Sequence, residues 1–187
     1  MAIARISALV AALLLIPVAV ADAKPATVKV MTRNLYLGAD LGPGMNATTL
    51  QGLVDGAGQI LNQVDANNFP ARANELAQEI RSTSPDLVGL QEAALWRTQP
   101  CDNSPLPPSA TTVRYDYIAS LLAQVNKGKK LYRVAVAKPE FDFEVWANTD
   151  GNEATAGPGC PMGSEINGRL TNMAAMAEST NAFCELA

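Results

Sequence analysis

Apolar and polar positions alternate through Val28-Lys29-Val30-Met31-Thr32-Arg33-Asn34 and then run into Leu35-Tyr36-Leu37-Gly38. That pattern predicts a strand with a loop at its C-terminal end. Thr48 and Gln51 have the spacing of a capping box, and Leu50, Leu53, Val54, Ala57, Leu61 and Val64 follow with helical periodicity. Gly52, Gly56 and Gly58 fall inside that helix, where each weakens it by up to ~1 kcal/mol relative to Ala. Pro70 suits a first helical position, and Ala73, Leu76, Ala77 and Ile80 share one face of a second helix that Ser84-Pro85-Asp86 ends. Leu87-Val88-Gly89-Leu90 is a continuous apolar run, the pattern of a short strand buried on both faces.

Gln91-Glu92 follow this run, and a proline-rich loop is expected from Arg97 to Ala110. Ile118, Leu121, Leu122 and Val125 mark a third helical face closed by Lys127-Gly128, and Leu131 to Ala137 is a third strand. From Pro139 onward the pattern decays into acidic and Gly/Asn-rich sequence, with only short extended pieces such as Phe141 to Val145. Strand, helix, helix, strand, helix, strand is an α/β order.

The N-terminus departs from this pattern. Met1 to Arg5 is a short positively charged region, Ile6 to Ala21 is almost unbroken apolar, and Ala-x-Ala steps follow at Ala19/Ala21 and Ala21/Ala23. Residues 1–23 are therefore expected to be a secretory signal peptide, with the alternative of an uncleaved anchor disfavoured by Pro17 and by the length of the run. The remaining chain has no second run of spanning length and is expected to be a secreted, periplasmic or extracellular monomer. In an oxidising compartment its 3 cysteines are disulfide candidates. Cys101 and Cys160 sit in Pro/Gly-rich loops and are the expected pair with Cys184 left over, although spacing alone does not decide the pairing.

Length and charge narrow the function. With 187 residues the chain is about one domain, and 14 Lys+Arg against 18 Asp+Glu give a net charge of −4. No bulk positive field is available to attract a phosphate backbone. The count of His is 0, which removes Ser-His-Asp and Cys-His nucleophile systems, His-ligated zinc and a His general base. Chemistry must rest on carboxylates, amides, Lys, Arg or Tyr.

Two polar residues end apolar strands, Asn34 the first and Glu92 the second. Ligands of open α/β sheets bind outside the carboxyl ends of the strands, so the two are candidates for one site. A carboxylate and an amide oxygen are hard ligands suited to Mg²⁺ or Mn²⁺. The plainer alternative is that Asn34 caps a turn and Glu92 is a solvated charge. Trp96 could stack a ring, or simply anchor a core or loop. "NTDGNE" at residues 148–153 could hold calcium, or be a solvated loop without full EF-hand spacing. Lys127, Lys129 and Lys130 suit a helix C-terminus, and Asn46-Ala47-Thr48 is a glycosylation sequon only in a eukaryotic host.

"VKVMTRNLYLGADL", followed some 50 residues later by "PDLVGLQEAALW", resembles the endonuclease/exonuclease/phosphatase superfamily of DNase I-like metal-dependent phosphoesterases. The resemblance covers roughly Val28 to Thr171. It implies a DNase I-like α/β sandwich, represented by its first sheet-and-helices half over residues 24–171. It also implies Glu92 as principal Mg²⁺ (or Mn²⁺) ligand and Asn34 as a metal-site amide. The substrate would be a phosphoester, in a nucleic acid, a phospholipid headgroup or an inositol phosphate.

The departures weigh on activity. The family's later half carries Asp-x-Asn and Ser-Asp-His motifs, and neither follows Thr171. Residues 172–187 form an atypical Ala/Met/Ser tail where a charged strand is expected, consistent with a frameshift or premature stop, or else with a natural tail that folds as a helix. The expectation is a truncated, inactive phosphoesterase-family chain. Its rival is a secreted non-catalytic binding module that retains the scaffold.

Overall fold

The computed structural model describes residues 27–101, 110–157 and 159–181. The segment 1–23, expected to be a signal peptide, and Cys184 lie outside the described residues. The elements, in chain order, are β1 (Val30–Asn34), α1 (Gly42–Met45), α2 (Leu50–Asn67), α3 (Phe69–Thr83), β2 (Leu87–Gln91), β3 (Leu95–Pro100), β4 (Thr112–Asp116), α4 (Tyr117–Val125), β5 (Tyr132–Ala147) and β6 (Ile166–Ser179). They build a mixed six-stranded sheet carrying helices, an α/β architecture.

β6 organises the sheet. Along one side it pairs antiparallel with β5 over its whole length, from Ile166 opposite Ala147 to Ser179 opposite Tyr132. On its other side β2 and β3 lie end to end. Leu87–Leu90 face Glu178–Ala175, and Leu95–Pro100 face Thr171–Ile166. Between them the Ala93 amide donates to the Met173 carbonyl at 3.0 Å, which keeps the two strands in one line. β1 adds parallel to β2, from Val30 opposite Leu87 to Asn34 opposite Gln91, and β4 adds antiparallel to β3.

The apolar periodicities find their partners on one face of this sheet. Val88 and Leu90 are buried opposite Ala177 and Ala175, and Val54, Leu61, Val64, Ala73, Ala77, Ile80, Leu121 and Val125 join them in the core. Phe69 at the start of α3 stacks on Tyr117 at the start of α4, with ring centroids 3.6 Å apart and planes 3° from parallel. Asn68, at φ 49° and ψ 57°, both ends α2 and begins α3, a left-handed corner that Asn tolerates better than most residues.

The glycines of α2 are packing features. A Cβ at Gly58 would sit 1.6 Å from the Asn148 carbonyl oxygen, and one at Gly56 would sit 2.4 Å from that of Pro43. The helix thus gives up propensity so that other backbone can touch it.

Several expectations change here. Thr49, not Thr48, caps α2: its Oγ1 accepts from the Gly52 amide at 3.0 Å, while the Gln51 side chain donates to Asp55 Oδ1 and the Met162 carbonyl. β2 is buried on one face only, with Leu87 and Gly89 half-buried, because the helices pack on a single side. The proline-rich segment begins inside β3, which runs to Pro100. Past Pro139 the chain does not decay but continues as one 16-residue strand, β5. Register shifts at Val134/Val136 and Pro139/Phe141 absorb the irregular residues, and an edge strand tolerates a proline. The boundary drawn at Thr171 falls within β6, so Asn172–Ser179 are central strand rather than helix. Pairing on both sides overrides the weak strand propensity of Ala and Asn.

Cys101 and Cys160 form a disulfide, with their Cα atoms 6.1 Å apart. It ties the end of β3 to the loop before β6. No helix among the described residues is long and apolar enough to cross a membrane.

Candidate functional site

β1 and β2 run parallel, so their C-terminal ends lie side by side, and the chain leaves each through a left-handed residue. After β2 that residue is Glu92 (φ 51°), and after β1 it is Tyr36 (φ 52°). Non-glycine residues rarely adopt this conformation, and for a bulky side chain it is an outlier. Glu92 occupies the break where β2 stops and β3 has not begun, which turns its side chain out of the ladder toward the end of β1.

There the two predicted site residues meet. Asn34 Nδ2 donates to Glu92 Oε1 at 2.7 Å, and the Leu37 amide donates to Glu92 Oε2 at 3.0 Å. The Tyr36 amide donates to Asn34 Oδ1 at 2.7 Å, which fixes which end of the Asn34 side chain faces the carboxylate. The Leu35 amide donates to the Gln91 carbonyl at 2.8 Å, tying the two exits together. Asn34 is exposed and Glu92 half-buried, so the pair sits at the mouth of the sheet.

Leu37 joins this pair to the core. Its carbonyl accepts from Trp96 Nε1 at 2.8 Å and from the Tyr117 hydroxyl at 3.0 Å. Tyr117 is fully buried, and burial pushes its phenol up to about 12. Gly38 follows at φ 106°, and any Cβ there would meet the Tyr117 oxygen at 2.4 Å. Arg72 of α3 holds the other flank. Its Nη2 donates to the Leu35 carbonyl at 2.7 Å and its Nη1 to Asn67 Oδ1 at 2.6 Å.

The donor set leaves room for a metal at Glu92. Each Glu92 oxygen accepts one hydrogen bond, and a carboxylate has about four lone-pair sites, so capacity remains for a cation. Mg²⁺ commonly takes one or two carboxylates and keeps several waters, which fits a single half-buried glutamate. Asn34 turns its nitrogen to Glu92 and its oxygen to Tyr36, so it orients the carboxylate instead of presenting a free amide oxygen. Among the described residues no group of three or more His, Cys, Asp or Glu side chains is placed to hold a metal.

The other singled-out residues lie elsewhere. Trp96 is 4% exposed, with its indole N–H donated to the Leu37 carbonyl, and it forms part of the wall of an apolar groove of about 260 Å³ with Leu41, Leu53, Phe141, Phe143 and Leu170. In the 148–153 loop Asp150 Oδ1 accepts from the Asn152 amide and Oδ2 from Thr155 Oγ1, so its carboxylate is used in closing the turn. Lys127, Lys129 and Lys130 are exposed beyond α4. Sequence reasoning passed over Tyr36, Leu37 and Arg72. Apart from Gly38, no residue type in the loop signals that a backbone amide and carbonyl there carry the site.

No protein-family model matches the chain, and neither a curated protein nor a solved structure matches it.

Proposed function

We propose that this chain is a secreted protein of the Mg²⁺-dependent, DNase I-like phosphoesterase type, with its metal held at Glu92. In this reading Glu92 holds a largely hydrated Mg²⁺ or Mn²⁺, and Asn34 and the Leu37 amide keep its carboxylate in place. Such a metal supplies charge stabilisation to a phosphoryl oxygen and lowers the pKa of its water. The observation that carries the reading is the Asn34–Glu92 hydrogen bond at the paired ends of β1 and β2. Position supports it too, since ligands of open α/β sheets bind at the carboxyl ends of the strands.

In this reading the chain binds the metal but turns substrate over poorly. It has no histidine, and a missing acid/base group typically costs ~10²–10⁴-fold in rate. A phosphoester of a nucleic acid, a phospholipid headgroup or an inositol phosphate is the substrate class to which the resemblance extends. A second reading, a secreted binding module on the same scaffold, draws on the apolar groove, along which Phe141 and Phe143 remain exposed.

Calorimetric titration of the full chain with Mg²⁺ and Mn²⁺ tests the first reading. The expected result is single-site binding that Glu92→Gln abolishes without changing the far-UV circular dichroism. A folded chain that takes up neither metal overturns it and favours the binding module.

A further inference from the structure

Tyr36 is the exposed aromatic at the site. The residue is 45% exposed although its backbone is held in the left-handed region at φ 52°. Its amide is bonded to Asn34 Oδ1, and its neighbours are bonded to Gln91 and Glu92, so φ is held at 52°. A bulky residue held left-handed persists only where the surroundings over-determine it, and such outliers cluster at ligand sites. Asn or Gly would occupy this corner with less strain, and neither would present a ring.

The ring is also backed. The Arg72 guanidinium carbon lies 5.7 Å from the Tyr36 centroid and 5.5 Å from that of Phe69, within cation–π range of both. Arg72 is itself fixed by Asn67 and the Leu35 carbonyl. One side of the Tyr36 ring is therefore occupied by a pinned cation, and much of the ring remains open to solvent. A cation behind a ring draws electron density from it, which favours stacking of an electron-rich ring on the opposite face. Trp96, at 4% exposed, forms part of the groove wall instead.

We propose that Tyr36 is the specificity-determining residue of the Asn34–Glu92 site, a braced platform on which a planar ring carried by the phosphoester stacks. This rests on the reading of the site given above and narrows its substrate to aryl or heteroaryl phosphoesters. The net charge of −4 favours small molecules of this kind over a long polyanion.

The test is calorimetry on the full chain in Mg²⁺ with two matched pairs. Phenyl phosphate is compared with cyclohexyl phosphate, and adenosine 5′-monophosphate with ribose 5-phosphate. Wild type is expected to favour the planar member of at least one pair by about fivefold. The pair that discriminates tells whether the ring is bonded to the phosphate or carried through a sugar. Tyr36→Leu is expected to erase the preference and Tyr36→Phe to retain it, both with unchanged circular dichroism.

Equal binding within both pairs, or no binding of any, overturns the platform, as does a preference that survives Tyr36→Leu. The two readings fail separately. A ring preference that depends on Tyr36 in a chain that takes up no Mg²⁺ retains the platform and removes the metal.

Discussion

Asn34 Nδ2 donates to Glu92 Oε1 at 2.7 Å across 58 positions of sequence. The bond exists because β1 and β2 are parallel and end together, Asn34 opposite Gln91, so Glu92, one residue further on, emerges beside the end of β1. The Leu37 amide holds the other carboxylate oxygen, and the Leu37 carbonyl carries the connection into the core through Trp96 and Tyr117.

Asn34 is a positioning residue in this arrangement. If Glu92 holds Mg²⁺ as proposed, Asn34→Ala is expected to weaken that binding by about 10–100-fold, the usual cost of removing a group that orients a metal ligand. Calorimetry beside Glu92→Gln measures it. Unaltered affinity in a folded Asn34→Ala protein would assign the bond a purely structural role.

Gly58 allows α2 to lie against the Asn148 carbonyl. Gly58→Ala should gain up to ~1 kcal/mol in helix propensity yet lose about 3 kcal/mol by overpacking, because its Cβ would fall 1.6 Å from the Asn148 oxygen. Urea denaturation gives the net sign. Gln59→Ala, at an exposed neighbouring position, is expected to stay within about 0.5 kcal/mol of wild type.

Tyr117 makes the fold sensitive to alkali. Burial raises its phenol to about 12, against ~10 in an unfolded chain. The group's contribution is intact below pH ~10 and is lost as pH rises toward 12, since the unfolded state releases the proton first. Burial raises Tyr132 as well, so Tyr117→Phe should flatten only part of the decline in unfolding free energy between pH 9 and 11.5. At pH 7 the same variant is expected to lose about 1 kcal/mol with the hydrogen bond to Leu37. An identical alkaline slope in wild type and Tyr117→Phe would contradict this assignment.

The Cys101–Cys160 bridge closes a separation of 59 residues, for which loop entropy gives about 4 kcal/mol. A Cys101→Ser, Cys160→Ser double variant should lower the urea midpoint accordingly. Dithiothreitol should bring wild type to the same midpoint and leave the variant where it is.

The local pattern of side chains carried a good deal of this protein. Helical periodicity located α2, α3 and α4, alternation located β1, and a polar residue ending each of two apolar strands singled out Asn34 and Glu92. These signals are legible because a helix or strand repeats its burial every few residues, so one face is written in consecutive sequence.

What tertiary structure alone decided is of a different kind. Asn172–Ser179 have little intrinsic strand character, and β5 runs through Pro139. Both are strands because β6 is paired on each side, a condition set by residues far away in the chain. Gly56 and Gly58 looked like weak points of a helix until the backbones they admit came into view. At the candidate site, the amide and carbonyl of Leu37 and the exposed ring of Tyr36 are placed by backbone direction. Side-chain pattern does not encode that direction; the meeting of the two parallel strand ends imposes it.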